Sequence, residues 1–135
     1  ARIWHRTGDR GYFDENGCLW LVGRNKDLLH YQGKNLDPYT VEAPILRLEG
    51  VKQAALIAKD EGLFLFLSVT FWTQELRDSL IKVLKPHELE NVETLLSTSL
   101  PVDGRHNSKI DRPLLRNWLR SIYILTSPPY RRVEL

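Results

Sequence analysis

The chain has 135 residues, of which 42% are hydrophobic and 27% charged, and its formal net charge at pH 7 is +2. This size and balance fit one globular domain, or one domain with a fragment of another, and the small positive excess does not indicate a nucleic-acid partner. The single cysteine, Cys18, excludes a disulfide framework within the chain, and no apolar run reaches the ~18 residues of a membrane span.

These features predict a protein of a reducing compartment, the cytoplasm. The sequence starts abruptly at Ala1, without a methionine or a signal-peptide segment. We therefore expect it to be a piece of a longer protein.

The first predicted element is a β-hairpin in "GYFDENGCLWLVG". Two apolar runs flank a turn in which Asn16 and Gly17 tolerate positive φ angles. Cys18 is expected in the core of the second strand, since a nucleophilic role would need a base partner.

A turn at Gly33 and a helix follow. Asp37 is the expected N-cap of "PYTVEAPILRLEG", with Pro38 at the first helical position and Gly50 at the end. Pro44 removes one helical hydrogen bond, which predicts a short or bent helix.

The second half alternates strands and helices. "VKQAALIAKD" and "LFLFLSVTF" predict a hairpin that turns at Glu61 and Gly62. Helices are predicted in "TQELRDSLIKVLK", capped by Thr73, and in "DRPLLRNWLRSI", capped by Asp111, with "ETLLSTSLP" as a strand between them. The tail, which contains Arg131 and Arg132, is expected to be extended or loosely packed, with this pair solvated. The overall prediction is an α+β fold with a β-hairpin, a three-stranded sheet and about three helices.

No metal site is expected. The four histidines show no metal-ligand spacing, and a single cysteine cannot complete a zinc site. They are His5, His30, His87 and His106. A catalytic base at His30 is one possibility, and a surface histidine is the alternative that we favour.

Three stretches in order resemble one family. They are "WHRTGDRGYFDENGCLWLVGRNKD", "QGKNLDPYTVEA" and "LPVDGRHNSKIDR". Together they are similar to the C-terminal part of adenylate-forming enzymes, which include acyl-CoA synthetases, peptide-synthetase adenylation domains and luciferases. The resemblance implies an AMP-forming acid ligase that uses ATP, Mg²⁺ and, in many members, coenzyme A.

The first stretch implies nucleotide contacts. Asp9 matches an aspartate that binds the ribose hydroxyls of ATP, and a carboxylate can accept two hydrogen bonds from a vicinal diol. Arg24 matches a residue near the nucleotide, where its guanidinium fork suits phosphate and ribose oxygens. Lys26 matches the hinge on which the small domain pivots. The resemblance therefore divides the chain into residues 1–25, the tail of the large AMP-binding domain, and residues 26–135, the mobile C-terminal domain.

The other two stretches imply an acceptor region and a catalytic lysine. Gly33 and Glu42 match residues near the acyl and thioester region, with solvated helix surface as the open alternative for Glu42. Lys109 matches the lysine that bridges the carboxylate and the α-phosphate as the acyl-adenylate forms. A desolvated ammonium there would offset the repulsion between two anionic groups.

Some residues depart from the common pattern. Ser108 replaces the usual glycine, and "PVDGRHNSK" resembles the β-lactone synthetases of olefin pathways, in which a substrate hydroxyl displaces AMP and no coenzyme A is needed. The expected substrate is a small-molecule carboxylic acid, fatty or β-hydroxy, and the expected partner is the chain's own N-terminal AMP-binding domain.

Two other function classes stay open at this point. The first is a stand-alone binding or regulatory module of the same fold, without catalysis. The second, a nucleic-acid binder, has none of the usual motifs to support it.

Overall fold

The computed structural model describes residues 3–4, 9–13, 15–24, 28–60, 62–104, 109–120 and 129–135. For the strands among residues 3–24, and for residue 120, it describes the backbone alone. The α+β class predicted from the sequence is confirmed.

The N-terminal part is a three-stranded antiparallel sheet in the order β1-β2-β3. Its strands are β1 (Ile3–Trp4), β2 (Asp9–Phe13) and β3 (Leu19–Arg24). Gly17 has φ +79° in the turn between β2 and β3, as the hairpin prediction requires. The prediction for Cys18 is wrong: this residue is exposed and lies between the turn and β3, which starts only at Leu19.

A second, tight hairpin joins β4 (Leu29–Tyr31) to β5 (Lys34–Leu36). Both residues of its two-residue turn have positive φ, 51° at Gln32 and 74° at Gly33. This turn geometry matches the right-handed twist of the two strands. The turn predicted at Gly33 is therefore confirmed. His30 lies on β4 with its side chain exposed.

Helix α1 (Pro38–Leu46) begins as predicted. The Asp37 carboxylate accepts a hydrogen bond from the backbone N–H of Tyr39 at 3.0 Å, and Pro38 occupies the first turn. Pro44 lies within this nine-residue helix, so the expectation of a short helix is confirmed. The helix ends at Leu46 rather than at Gly50, which instead forms the turn before the next strand with φ +90°.

The central sheet has four strands in the order β11-β8-β7-β6. They are β6 (Val51–Lys59), β7 (Gly62–Val69), β8 (Glu93–Leu96) and β11 (Arg131–Val133). Strands β6 and β7 form the predicted antiparallel hairpin, whereas β7 and β8 are parallel. The fourth strand comes from the tail, which the sequence did not predict to pair.

Helix α2 (Gln74–Leu84) makes the crossover between the parallel strands β7 and β8. The predicted cap is confirmed, because the Thr73 hydroxyl accepts from the N–H of Leu76 at 3.1 Å. A single 3₁₀ turn, Lys85–His87, follows the helix. Pro86 lies in that turn, because a proline cannot continue the α-helical hydrogen bonding.

Helices cover both faces of the central sheet. On one face α1 and α2 pack against alternate residues of β6 and β7; on the other, α3 (Arg112–Arg120) packs against the residues between them. Leu56 and Leu65 thus belong to the first core, and Ile57 and Phe66 to the second. Burial on both faces explains why these two strands read as nearly continuous hydrophobic runs. In the part of the chain that the structure describes, no helix is long and apolar enough to cross a membrane.

Candidate functional site

Lys109 lies on a short strand just before α3. Strand β10 (Lys109–Ile110) pairs with β9 (Val102–Asp103) in antiparallel register, which places Lys109 opposite Asp103. The side chain of Lys109 is exposed, and among the described residues it has no ion pair or side-chain hydrogen bond. Residues 105–108, including Ser108, lie outside the described residues.

The base of this loop is closed by hydrogen bonds. The N–H of Asp111 donates to the carbonyl of Pro101 at 2.9 Å, which joins the two ends of the loop. The amide side chain of Gln53 holds Leu100 from β6: its Oε1 accepts from the Leu100 N–H at 2.8 Å, and its Nε2 donates to the Leu100 carbonyl at 3.3 Å. A register shift between Val51 and Gln53 accompanies this contact, since such bulges re-aim the side chains beside them.

Helix α3 begins directly after the loop. The carboxylate of Asp111 accepts from the N–H of Leu114 at 3.1 Å, so the predicted cap is confirmed. On the helix surface, Leu115 and Leu119 are buried, whereas Leu114 is exposed. The start of α3 therefore lies two residues beyond the end of the Lys109 strand.

A buried ion pair holds this helix start to α1. The Nη2 atom of Arg112 lies 2.5 Å from Oε1 and 2.9 Å from Oε2 of Glu42. The exposed fraction is 8% for the Glu42 side chain and 20% for that of Arg112. The alternative of a solvated helix surface is therefore wrong for Glu42.

The same two side chains bind the backbone of Leu56 in β6. The Leu56 N–H donates to Oε2 of Glu42 at 3.3 Å, and the Leu56 carbonyl accepts from Nη1 of Arg112 at 3.2 Å. Among the described strands, β6 is at the edge of the sheet, with β7 as its one neighbour. Buried backbone groups at such an edge need partners. The ion pair supplies them, where another sheet would have a further strand.

The other predicted site residues lie elsewhere. Asp9, the first residue of β2, and Arg24, the last residue of β3, are direct cross-strand neighbours. Their side chains, and all of Lys26, lie outside the described part of the structure. Gly33 is at the exposed tip of the β4–β5 hairpin.

Sequence reasoning missed Arg112 and Gln53. One feature of the sequence does point to Arg112: it stands in the first turn of a helix, where the macrodipole disfavours a cation. A cation in that position implies an acidic partner from elsewhere in the fold, and Glu42 is that partner. No comparable feature identifies Gln53.

Tyr130 lies at the opposite edge of the sheet, next to β11. Its ring stacks on Trp118 and meets Phe66 edge-on, and its hydroxyl is buried without a hydrogen-bond partner among the described residues. Burial, with a further contribution from the charge of Glu93, raises the pKa of the Tyr130 phenol above its ordinary value of 10.0. Among the described residues, no group of three or more His, Cys, Asp or Glu side chains could hold a metal ion.

Comparison with known proteins gives relatives of one kind. No model of a protein family matches the chain. Among curated proteins, it is 39% identical over 72 residues to a 2-succinylbenzoate–CoA ligase from Listeria monocytogenes, covering 53% of this chain and 15% of that protein. It is 42% identical over 59 residues to a marinolic acid–CoA ligase from Pseudoalteromonas, covering 44% of this chain and 9% of the relative.

Solved structures of the same kind share the fold. O-succinylbenzoate coenzyme A synthetase from Bacillus subtilis, in complex with AMP, matches 82% of this chain with a TM-score of 0.68 and 25% identity. An amide bond synthetase from Marinactinospora thermotolerans matches 84% with a TM-score of 0.67 and 26% identity.

The chain covers only part of each of these proteins, 24% in both solved structures. The resemblance inferred from the three sequence stretches is nevertheless confirmed. The homologues and structural neighbours of this chain are acyl-CoA ligases and related enzymes of the adenylate-forming superfamily.

Proposed function

We propose that this chain is the C-terminal part of an ATP-dependent, AMP-forming acid ligase, and that Lys109 is its adenylation catalyst. The observation that carries the proposal is an exposed lysine, without a described ion pair, on a loop whose two ends are fixed. The likeness in fold to a synthetase solved with AMP supports the same activity.

Lys109 would act by stabilising charge. In the adenylation step a carboxylate oxygen of the substrate forms a bond to the α-phosphorus of ATP, and the bond from that phosphorus to pyrophosphate breaks. Both reactants are anionic, so an ammonium group placed between them lowers the barrier. A lysine already committed to an ion pair would first have to give up that partner, and Lys109 has none among the described residues.

The remaining residues would serve binding and movement. Asp9 and Arg24 would contact the ribose and nearby nucleotide oxygens, and Lys26 would be the pivot between residues 1–25 and residues 26–135. Gly33 would bring exposed backbone to the acceptor region. We assign Glu42, because of its burial against Arg112, a structural role behind that region rather than contact with the acceptor.

The proposal also covers the acid substrate and the acceptor of the acyl group. A fatty or β-hydroxy acid is the expected carboxylate, and its adenylate would pass to coenzyme A or close to a β-lactone; product analysis with and without coenzyme A separates the two. Magnesium would accompany ATP on the N-terminal AMP-binding domain. The expected compartment is the cytoplasm.

The test is Lys109→Ala in the complete ligase, with Lys52→Ala as the matched control, since Lys52 is also exposed and lies on β6. We expect carboxylate-dependent pyrophosphate exchange to fall by about 10²–10³-fold in the first variant and to stay unchanged in the second. Use of preformed acyl-adenylate should persist in both. Equal loss of both half-reactions in Lys109→Ala would contradict the role.

A further inference from the structure

We propose that Glu42 and Arg112 are positioning residues that fix the Lys109 loop to the edge of the central sheet. The catalytic consequence rests on the function proposed above, whereas the structural part does not depend on it. Neither side chain would touch substrate. Their effect would travel through the start of α3.

The ion pair between Glu42 and Arg112 covers the outer edge of β6. The Glu42 carboxylate accepts the Leu56 N–H, and the Arg112 guanidinium donates to the Leu56 carbonyl. The pair therefore binds both backbone groups of one residue on the outer edge of β6. An exposed ion pair would not fix the strand in this way, because both of its side chains are solvated and mobile.

Asp111 connects Arg112 to the strand that carries Lys109. Asp111 lies between the anchored arginine and β10, and its N–H closes the loop on Pro101. Because the same residue caps α3 through its carboxylate, the helix start and the loop end form one hydrogen-bonded unit. A shift of the Arg112 anchor would therefore move the backbone that carries Lys109.

A second side chain of β6, that of Gln53, holds the other end of the loop. Gln53, three residues before Leu56 in β6, binds both backbone groups of Leu100 at the start of the loop. Both ends of the loop are thus fixed to β6, one end by a neutral amide and the other by the ion pair. Such preorganisation matters for a catalytic lysine, since a displacement of about 1 Å can cost on the order of 10²-fold in rate.

Arginine is required at position 112 by the number of bonds it makes. Its planar fork reaches both carboxylate oxygens of Glu42 and the Leu56 carbonyl at once. A lysine would keep the charge but could not reproduce the fork. We therefore expect Arg112→Lys to retain part of the effect and Arg112→Met to lose it.

The experiment compares Arg112→Met with Arg116→Met in the complete ligase. Arg116 lies one turn later on α3 and also donates to an edge carbonyl, that of Ala58, at 3.5 Å, without an ion pair among the described residues. Amide hydrogen exchange is measured at Leu56 and across residues 101–111. We expect exchange at least tenfold faster in Arg112→Met, an intermediate rate in Arg112→Lys, and an unchanged rate in Arg116→Met. Exchange as slow in Arg112→Met as in the parent protein would overturn the proposal.

Steady-state kinetics distinguish a displaced Lys109 from a general loss of stability. At a temperature where all variants are folded, we expect the kcat of pyrophosphate exchange to fall about 10–100-fold in Arg112→Met. The KM for ATP and the use of preformed acyl-adenylate should change little. A loss shared equally by both half-reactions would reject the positioning role.

The Lys109→Ala variant, measured in parallel, separates the two proposals. If it retains pyrophosphate exchange, the function proposed for Lys109 fails even if Arg112→Met loosens the loop. If it loses exchange while Arg112→Met alters neither the loop nor the rate, only the positioning role fails.

Discussion

Two arginines stand at opposite edges of the central sheet and differ in what surrounds them. Arg112 is paired with Glu42 beside β6, and Arg132 is paired with Glu93 beside β8, from its place on β11. The exposed fraction of the side chain is 20% for Arg112 and 63% for Arg132. Arg112 also binds a backbone carbonyl of the sheet, whereas β11 is itself a strand and satisfies the sheet through its own backbone.

The backbone groups at the two sides of this sheet obtain their hydrogen-bond partners in two different ways. At β8 a strand from the tail supplies ordinary ladder hydrogen bonds, and the arginine on it is an accessory. Beyond β6 the described part of the chain has no further strand, and two charged side chains from two helices bind the edge backbone groups. The energetic weight of each ion pair should therefore differ according to how much buried backbone depends on it.

The largest expected effect is at the β6 edge. Glu42→Leu leaves Nη2 of Arg112 and the Leu56 N–H without their acceptor, which should lower the free energy of unfolding by about 3 kcal/mol. Urea unfolding of the chain measures this as a lower midpoint at unchanged slope.

The double variant Glu42→Leu/Arg112→Leu sharpens that result. Where a buried ion pair has no other duty, apolar replacement of both partners is often neutral. Here the Leu56 N–H and carbonyl would stay unsatisfied, so we expect a loss of about 1–3 kcal/mol to persist. Full recovery of stability in the double variant would refute the edge-covering role.

A smaller effect of opposite sign is expected near β11. Tyr130→Phe removes a buried hydroxyl that has no partner among the described residues, and should raise stability by up to about 1 kcal/mol. Thermal unfolding at pH 7 measures the change. A decrease in stability would show that the hydroxyl has a bonding partner.

The same variant changes the pH dependence. Because burial raises the pKa of the Tyr130 phenol, the folded state favours the protonated form. That contribution is complete below the unfolded pKa of about 10 and is lost as the pH rises through the higher folded value. Part of the alkaline loss of stability should therefore be absent in Tyr130→Phe.

The smallest effect is expected at the exposed ion pairs. Arg132→Ala should change the free energy of unfolding by less than about 1 kcal/mol, since the guanidinium is largely solvated. Lys34→Ala is the control, because Nζ of Lys34 lies 3.9 Å from Oε2 of Glu88 and both side chains are mostly exposed. No measurable change in the free energy of unfolding is expected for this variant. A loss at Arg132 as large as that at Glu42 would invalidate the contrast between the two edges.

Local elements were largely readable from the sequence. The caps at Asp37, Thr73 and Asp111, and the turn at Gly33, were predicted correctly. Each depends on side chains and dihedral preferences within four residues, so the local sequence contains the required information. The exposed position of Lys109 also agrees with its predicted role, although the role itself stays a prediction.

Longer-range features were not readable in this way. The sequence predicts an extended or loosely packed tail, which in fact pairs with β8, and it does not decide between an acceptor region and a solvated surface for Glu42, which is buried against Arg112. Both outcomes depend on which distant segment lies alongside, and one sequence does not state that. Arg112, opposing its own helix dipole, was the one local anomaly that pointed to such a partner.

Most of the helices, strands and caps, the order of the motifs and the likeness to adenylate-forming ligases follow from neighbouring residues and are visible in the sequence. The burial of Glu42, the contact of Arg112 with the outer edge of β6 and the attachment of both ends of the Lys109 loop to that strand are visible only in the folded chain. The physical reason is that burial and hydrogen-bond satisfaction are settled between residues up to 70 positions apart.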